Sequence, residues 1–224
     1  MTGSLELLRL LHLASPALPI GAFHFSQGLE YAVEAGWVND EASAHDWIAG
    51  IATHALGTLD LPMLARMRCA FIDGEAERAL AWSRRLLASR ETEEMRAEDR
   101  HMGRALARIL VDIQAIAPLS AQELEAASHA SSFARACAAW SIGESESLQT
   151  YAWAWCENQT LAAVKLVPLG QSAGQRILHG LIPQVQRIAE RAVRIADEDI
   201  GTSCVMQAFA SARHESQYTR LFRS

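Results

Sequence analysis

Leucine and alanine dominate the apolar half of this chain, and its apolar residues recur at the three-to-four-residue spacing of a helix. Valine and isoleucine are sparse, and the period-2 alternation of a half-buried strand is hard to find. The clearest stretch is 91–115, where Met95, Met102, Leu106, Ile109, Leu110 and Ile113 share one face. A chain of this pattern is confined to all-α architectures. With 224 residues and no internal repeat, low-complexity tract or break in composition, it is expected to form a single-domain helical bundle of roughly ten helices spanning residues 1–224.

Prolines, glycines and capping residues divide the chain. Ser4 can cap a first helix to about Ala14, whose leucines leave so little polar face that it should be buried in its own core or against another subunit. Pro16 and Pro19 force an ordered loop over 15–25, and Ser26 restarts a helix that ends near Gly36. Asp40 can cap the next helix, ending near Gly57. Asp60 and Pro62 read as the start of another over 63–71, with a turn at Asp73-Gly74. Helices are expected over 75–88 and 91–115. Ser120 and Glu123 form a capping box, and further helices follow over 131–140 and 145–164. A break at 167–170 precedes a helix over 171–196, with a kink near Pro183. The acidic turn at 197–203 leads to the final segment.

Several functions are disfavoured. The net charge of −6 argues against general affinity for nucleic acid or acidic membranes. The N-terminus has no basic region or small-residue cleavage site, and its apolar run is short and interrupted by charge, so a cytoplasmic protein is expected. Four scattered cysteines without a CxxC pair read as buried free thiols. The histidines form no HxH, HExxH or His/Cys cluster. No phosphate loop, GxSxG elbow or dinucleotide fingerprint is present. Arg96, Arg100, Arg104 and Arg108 line a stripe among Glu93, Glu94, Glu98 and Asp99, which reads as a salt-bridged solvent face.

Two segments point to partners. The last residues, including Tyr218, Arg220, Leu221, Phe222, Arg223 and Ser224, combine aromatic, apolar and guanidinium groups that are poorly suited to a free tail but suited to a protein interface. The bland alternative is that Tyr218, Leu221 and Phe222 fold back on the chain's own core. His214 lies where a free tail would present it. The other segment is Gly170–Gln175, where a glycine turn precedes a helix and leaves Gln171 and Gln175 outward, while the small residues at 170, 173 and 174 fit close packing of another helix of the same chain equally well.

These segments resemble the urease accessory protein family UreF. The resemblance rests on Leu13-Ala14-Ser15-Pro16-Ala17-Leu18-Pro19-Ile20-Gly21-Ala22-Phe23 with Ser26-Gln27-Gly28-Leu29-Glu30, and on Arg90-Glu91-Thr92 with Glu94, Arg96 and Gly103. It continues through Lys165-Leu166-Val167-Pro168-Leu169-Gly170-Gln171 with Gly174-Gln175, and through Arg213-His214-Glu215 with Arg220 to Ser224. The chain departs from the family pattern at His24-Phe25 and at Ser131-Ser132-Phe133-Ala134-Arg135, which lacks a proline- and valine-rich run.

The resemblance implies a homodimeric, non-enzymatic adaptor in urease maturation. It would bridge UreD (also called UreH) and the GTPase UreG in a complex that installs nickel in apo-urease. The tail from Tyr218 to Ser224 would order on UreD/UreH. Lys165, Gln171 and Gln175, with Arg90 and Glu91, are candidates for the GTPase side, and His214 for a transient nickel contact. Nickel and GTP would be handled by the assembled complex, with no cofactor bound by this chain and with modulation of the partner's GTP hydrolysis as a further role. From the residues alone, a helical enzyme or small-ligand binder with a Trp/Met/His-lined pocket is the alternative.

Overall fold

Helices begin where a side chain can take up the free amides of a first turn. The Asp40 carboxylate accepts from the Ser43 amide at 2.8 Å, the Thr92 hydroxyl from Met95 at 3.2 Å and the Ser128 hydroxyl from Ser131 at 3.1 Å. Ser120 and Glu123 form the expected reciprocal box. Ser4 is not a cap. Gly3 takes that position, and its amide is held by Glu6 at 2.8 Å.

The computed structural model describes residues 3–201 and 203–224. Among them the chain is all-α, with eleven α-helices: α1 (Ser4–Ala14), α2 (Leu29–Glu34), α3 (Glu41–Ile51), α4 (Leu61–Ile72), α5 (Ala76–Ala88), α6 (Glu93–Asp112), α7 (Ala121–Glu125), α8 (His129–Ala139), α9 (Glu144–Leu166), α10 (Gln171–Ala192) and α11 (Val205–His214). Helix α10 runs through Pro183 and stops at Ala192, short of the expected 196.

The expected interruption between Gly57 and Pro62 does not occur. A π-helical segment, Ala52–Asp60, joins α3 to α4 in one continuous helix. Pro62 has no amide to offer the Thr58 carbonyl four residues back, and the wide π turn makes room for its ring. The Gly201 amide serves that carbonyl instead, at 3.1 Å. Freed from capping, the Asp60 side chain turns inward. This 32-residue helix is long and apolar enough to cross a bilayer, but 72% of its apolar window is buried inside the fold, so its apolarity serves the core.

Leu61, Met63, Leu64 and Met67 on α4 are completely buried, packed against α5 and α8, while α9 lies along α10. Gly174 permits that second contact, because a Cβ there would stand 2.8 Å from Val164 Cγ2. Helix α6 approaches α8 equally closely at Gly103, where a Cβ would fall 2.5 Å from the Ser128 carbonyl carbon. Nearby, the Ser132 hydroxyl donates to the Gly103 carbonyl at 2.7 Å, so the serines that depart from the family pattern serve this tight crossing. Gly103→Ala has only backbone to push against. It is expected to lower stability by about 2 kcal/mol and the melting temperature by about 4–8 °C, read by thermal unfolding.

Helix α1 is only partly buried. Leu10 and Leu13 enter the core, whereas Leu5, Leu7, Leu8 and Leu11 remain exposed. The chain's own core therefore does not cover this face.

Candidate partner-binding site

The tail folds back on the body. Helix α11 crosses the start of α6, where the Glu215 carboxylate accepts from the free amides of Glu93 and Glu94 at 3.0 and 3.2 Å, a favourable charge for a helix N-terminus. Thr92 and Ser211 join their hydroxyls at 2.8 Å beneath this crossing. Gly28 allows α11 to lie this close to α2. Its φ is +85°, and a Cβ would meet the Ser211 amide nitrogen at 2.8 Å.

Three carboxylates then organise the chain end. Glu30 on α2 accepts from the Leu221 and Phe222 amides at 2.6 and 2.9 Å. Glu94 pairs with Arg220. Glu98 accepts from the Ser224 hydroxyl at 2.8 Å and from the Gln27 side chain at 2.7 Å. The Ser224 main-chain oxygen accepts from the amides of Ser26 and Gln27 and from the Ser26 hydroxyl, at 2.6, 3.1 and 2.6 Å. The Arg223 amide donates to His24.

His214 is completely buried. Its ring nitrogens face Glu94 at 2.8 Å and Glu30 at 3.1 Å. It is a clamp between two carboxylates and is not presented to a partner. Among the described residues no group of three or more metal-ligating side chains is gathered.

The side chains of the tail divide between the two faces. Phe222 is buried beneath the Lys165 ammonium, 5.8 Å from its ring centre. Leu221 is 69% exposed and Tyr218 fully so. The fold-back reading thus holds for Phe222 alone. Gln171 and Gln175 lie exposed at the start of α10, and Lys165 is exposed on the last turn of α9. Lys165 adjoins the tail through Phe222.

Arg90 turns inward, where sequence reasoning placed it at a surface. Its guanidinium pairs with Asp60 and with Asp99, the latter at 2.9 Å through Nε, and its side chain is mostly buried. Asp99 also accepts from the His129 amide at 2.7 Å. Burial pushes the Asp60 carboxyl above its ordinary value although Arg90 lies against it. Glu91 stays exposed and accepts from Ser203. The acids of α6 do not make the expected intrahelical face: Glu94 and Glu98 hold the tail and Asp99 holds Arg90.

Two cavities open beside this cluster. The inner one, about 40 Å³, is bounded by Asp60, Arg90, Glu98, Asp99, His129 and Tyr151. The outer one, about 80 Å³, lies between the loop over 13–23 and α9, and shares Gln27, Glu98, Met102, His129, Tyr151 and Trp155 with the first. Each has room for ordered water. Burial pushes Glu98 up to about 7 and His129 down to about 4. The alternative reading expected a pocket lined by Trp, Met and His, and Trp155, Met102 and His129 line both cavities; which residues would meet was not legible, because they join α6, α8, α9 and the loop only in space.

The segments singled out by sequence therefore meet in one place: the loop ending at Gly28, the acids of α6, the end of α9 and the tail. The family profile for UreF matches residues 38–182, more than half of the chain. The chain is also similar over nearly its whole length to proteins named urease accessory protein UreF. It is 46% identical to that of Alkalilimnicola ehrlichii over 96% of this chain and 95% of the relative. It is 45% identical to that of an Azoarcus species over 99% and 97%, and 43% identical to that of Methylobacillus flagellatus over the full length of both.

The chain belongs to the UreF family. In this UreF-family chain the signature segments have physical tasks. Ser26 and Gln27 hold the chain end, Gly28 admits α11, Glu30, Glu94 and Glu98 bind the tail, and Gly103 admits α8.

Proposed function

We propose that this protein is a cytoplasmic, non-catalytic urease maturation factor, a homodimeric adaptor that joins UreD/UreH and the GTPase UreG in the complex delivering nickel to apo-urease. The observation that carries the reading is the form of the tail. Glu30 holds its backbone at Leu221 and Phe222, and Glu94 and Glu98 hold the side chains of Arg220 and Ser224, yet Tyr218 and Leu221 stand in solvent. An anchor held in place loses less conformational freedom on binding than a free tail. UreD/UreH is the partner assigned to this face, through the exposed Tyr218, Arg220, Leu221 and Arg223, with Phe222 and Ser224 holding the tail in place from beneath.

Lys165, Gln171, Gln175 and Glu91 are assigned to the GTPase side. Because Lys165 lies over Phe222, a partner that moves the tail alters that surface, and this gives a route for modulating the GTPase. Arg90 acts beneath the surface as a structural support. The exposed leucines of α1 are assigned to the homodimer contact. Nickel and GTP are handled by the assembled complex and no cofactor belongs to this chain; the interior position of His214 favours a structural task for it.

The test is size-exclusion chromatography with light scattering, on this chain with UreD/UreH. The full-length chain is expected to run as a dimer alone and to shift into a larger complex with the partner. The Tyr218→Ala/Leu221→Ala variant, which leaves the carboxylate anchors in place, is expected to stay a folded dimer and to lose at least about tenfold in affinity. An unchanged shift would remove the tail from the interface. Failure of the full-length chain to shift would remove UreD/UreH as the partner.

A further inference from the structure

The outer cavity is built for a ligand that the tail does not supply. Its wall is the signature loop that folds over α9, and it is largely apolar, with Leu13, Leu18, Phe23 and Leu161 along it. Tyr151 and Trp155 are among its lining residues, Glu98 is shared with the inner cavity, and no lysine or arginine lines it. Glu157 also lines it. Among the described residues its carboxylate has no hydrogen bond or ion pair, and burial alone pushes its pKa above the ordinary value. Glu98 receives two neutral donors, Gln27 and Ser224, while the nearest guanidinium, that of Arg90, is committed to Asp60 and Asp99. An apolar channel with aromatic side chains and two carboxylates short of a cation complements an aliphatic stem that ends in a positive charge.

We propose that this cleft receives an arginine side chain presented by a partner protein. The guanidinium pairs with Glu157 and Glu98, and the methylene stem lies along Leu13, Phe23 and Leu161. A protein, and not a free small cation, is the occupant because Phe23 and Leu161 are exposed as well as lining the cavity. A small cation would leave those side chains in water, whereas a polypeptide covers them. Arginine fits better than lysine, since its planar head meets carboxylates in two-pronged fashion and stacks on aromatic faces. This docking cleft goes beyond the adaptor reading; it meets the tail at Glu98, which also accepts from the Ser224 hydroxyl, but no residue of the tail lines it.

The experiment titrates the full-length protein with the peptide acetyl-Ala-Leu-Arg-Leu-Ala-amide and with its norleucine counterpart, which keeps the stem and lacks the charge. Binding is followed by the NMR signal of the Trp155 indole N–H, assigned by comparison with Trp155→Phe. The arginine peptide is expected to shift that signal saturably, with an affinity about tenfold or more above that of the norleucine peptide. Glu157→Gln, with an unchanged melting temperature, is expected to remove most of that preference and to leave the norleucine peptide unaffected. Free butylguanidinium is expected to bind more weakly than the peptide. Equal binding of the two peptides, no shift of the Trp155 signal at ~10 mM peptide, or an undiminished preference in Glu157→Gln would each overturn the proposal. Butylguanidinium binding as tightly as the peptide would overturn the partner as its source.

Discussion

Arg90→Ala is expected to destabilise the fold by about 3–5 kcal/mol, because it strands two buried carboxylates. Asp60 and Asp99 are both buried, and Arg90 is the cation bound to each. Burial already raises Asp60 with the guanidinium present, so without it that group must take up a proton or draw in water. Urea unfolding followed by circular dichroism measures the loss. Arg90→Met combined with Asp60→Asn and Asp99→Asn is expected to recover a good part of it, since the cost lies in the unpaired charges. A loss in the triple variant equal to that in Arg90→Ala would show that the unpaired charges do not set the stability here.

Glu98→Gln is expected to stabilise the protein above neutral pH, by roughly 3 kcal/mol for a carboxyl raised from 4.5 to about 7. Between those values the folded chain holds a proton that the unfolded chain has released. This group's contribution is therefore present at acid pH and is lost as pH rises through about 7. His129 has the opposite sign. Its folded pKa lies at about 4, below the ordinary 6.5, so stability is lost as pH falls through that interval. The two slopes offset each other in the wild type. Glu98→Gln removes one of them, and its stability is expected to rise with pH across the histidine interval, where that of the wild type is nearly level. The Ser224 hydroxyl, both donor and acceptor, can accommodate the amide. Melting temperatures from pH 4 to 8 provide the measurement, and parallel curves for the two proteins would contradict the assignment to Glu98.

Features set by near neighbours were legible in the sequence. The apolar spacing over 91–115 became α6, the capping box at Ser120 and Glu123 opens α7, and Asp40 caps α3. Asp60 was misread because a proline two residues later is a common local start signal. What overrode it was the Gly201 amide, far along the chain, which accommodates the Thr58 carbonyl within a continuous helix. The tail showed the same division. Its composition marked it as a segment that needs a surface, but not which surface.

The sequence by itself determined the helical class, most helix starts and stops, and the family, because these rest on spacing, capping and motifs within a few residues of one another. Only the tertiary structure decided that Arg90 is buried, that His214 is a clamp, that Phe222 faces inward while Tyr218 and Leu221 face out, and that an acid-lined cleft lies under the signature loop. These depend on pairings such as Ser26 with Ser224, 198 residues apart. A carboxylate looks the same in sequence whether it faces water or a guanidinium. Its role is fixed by the partner and the burial that the fold brings to it.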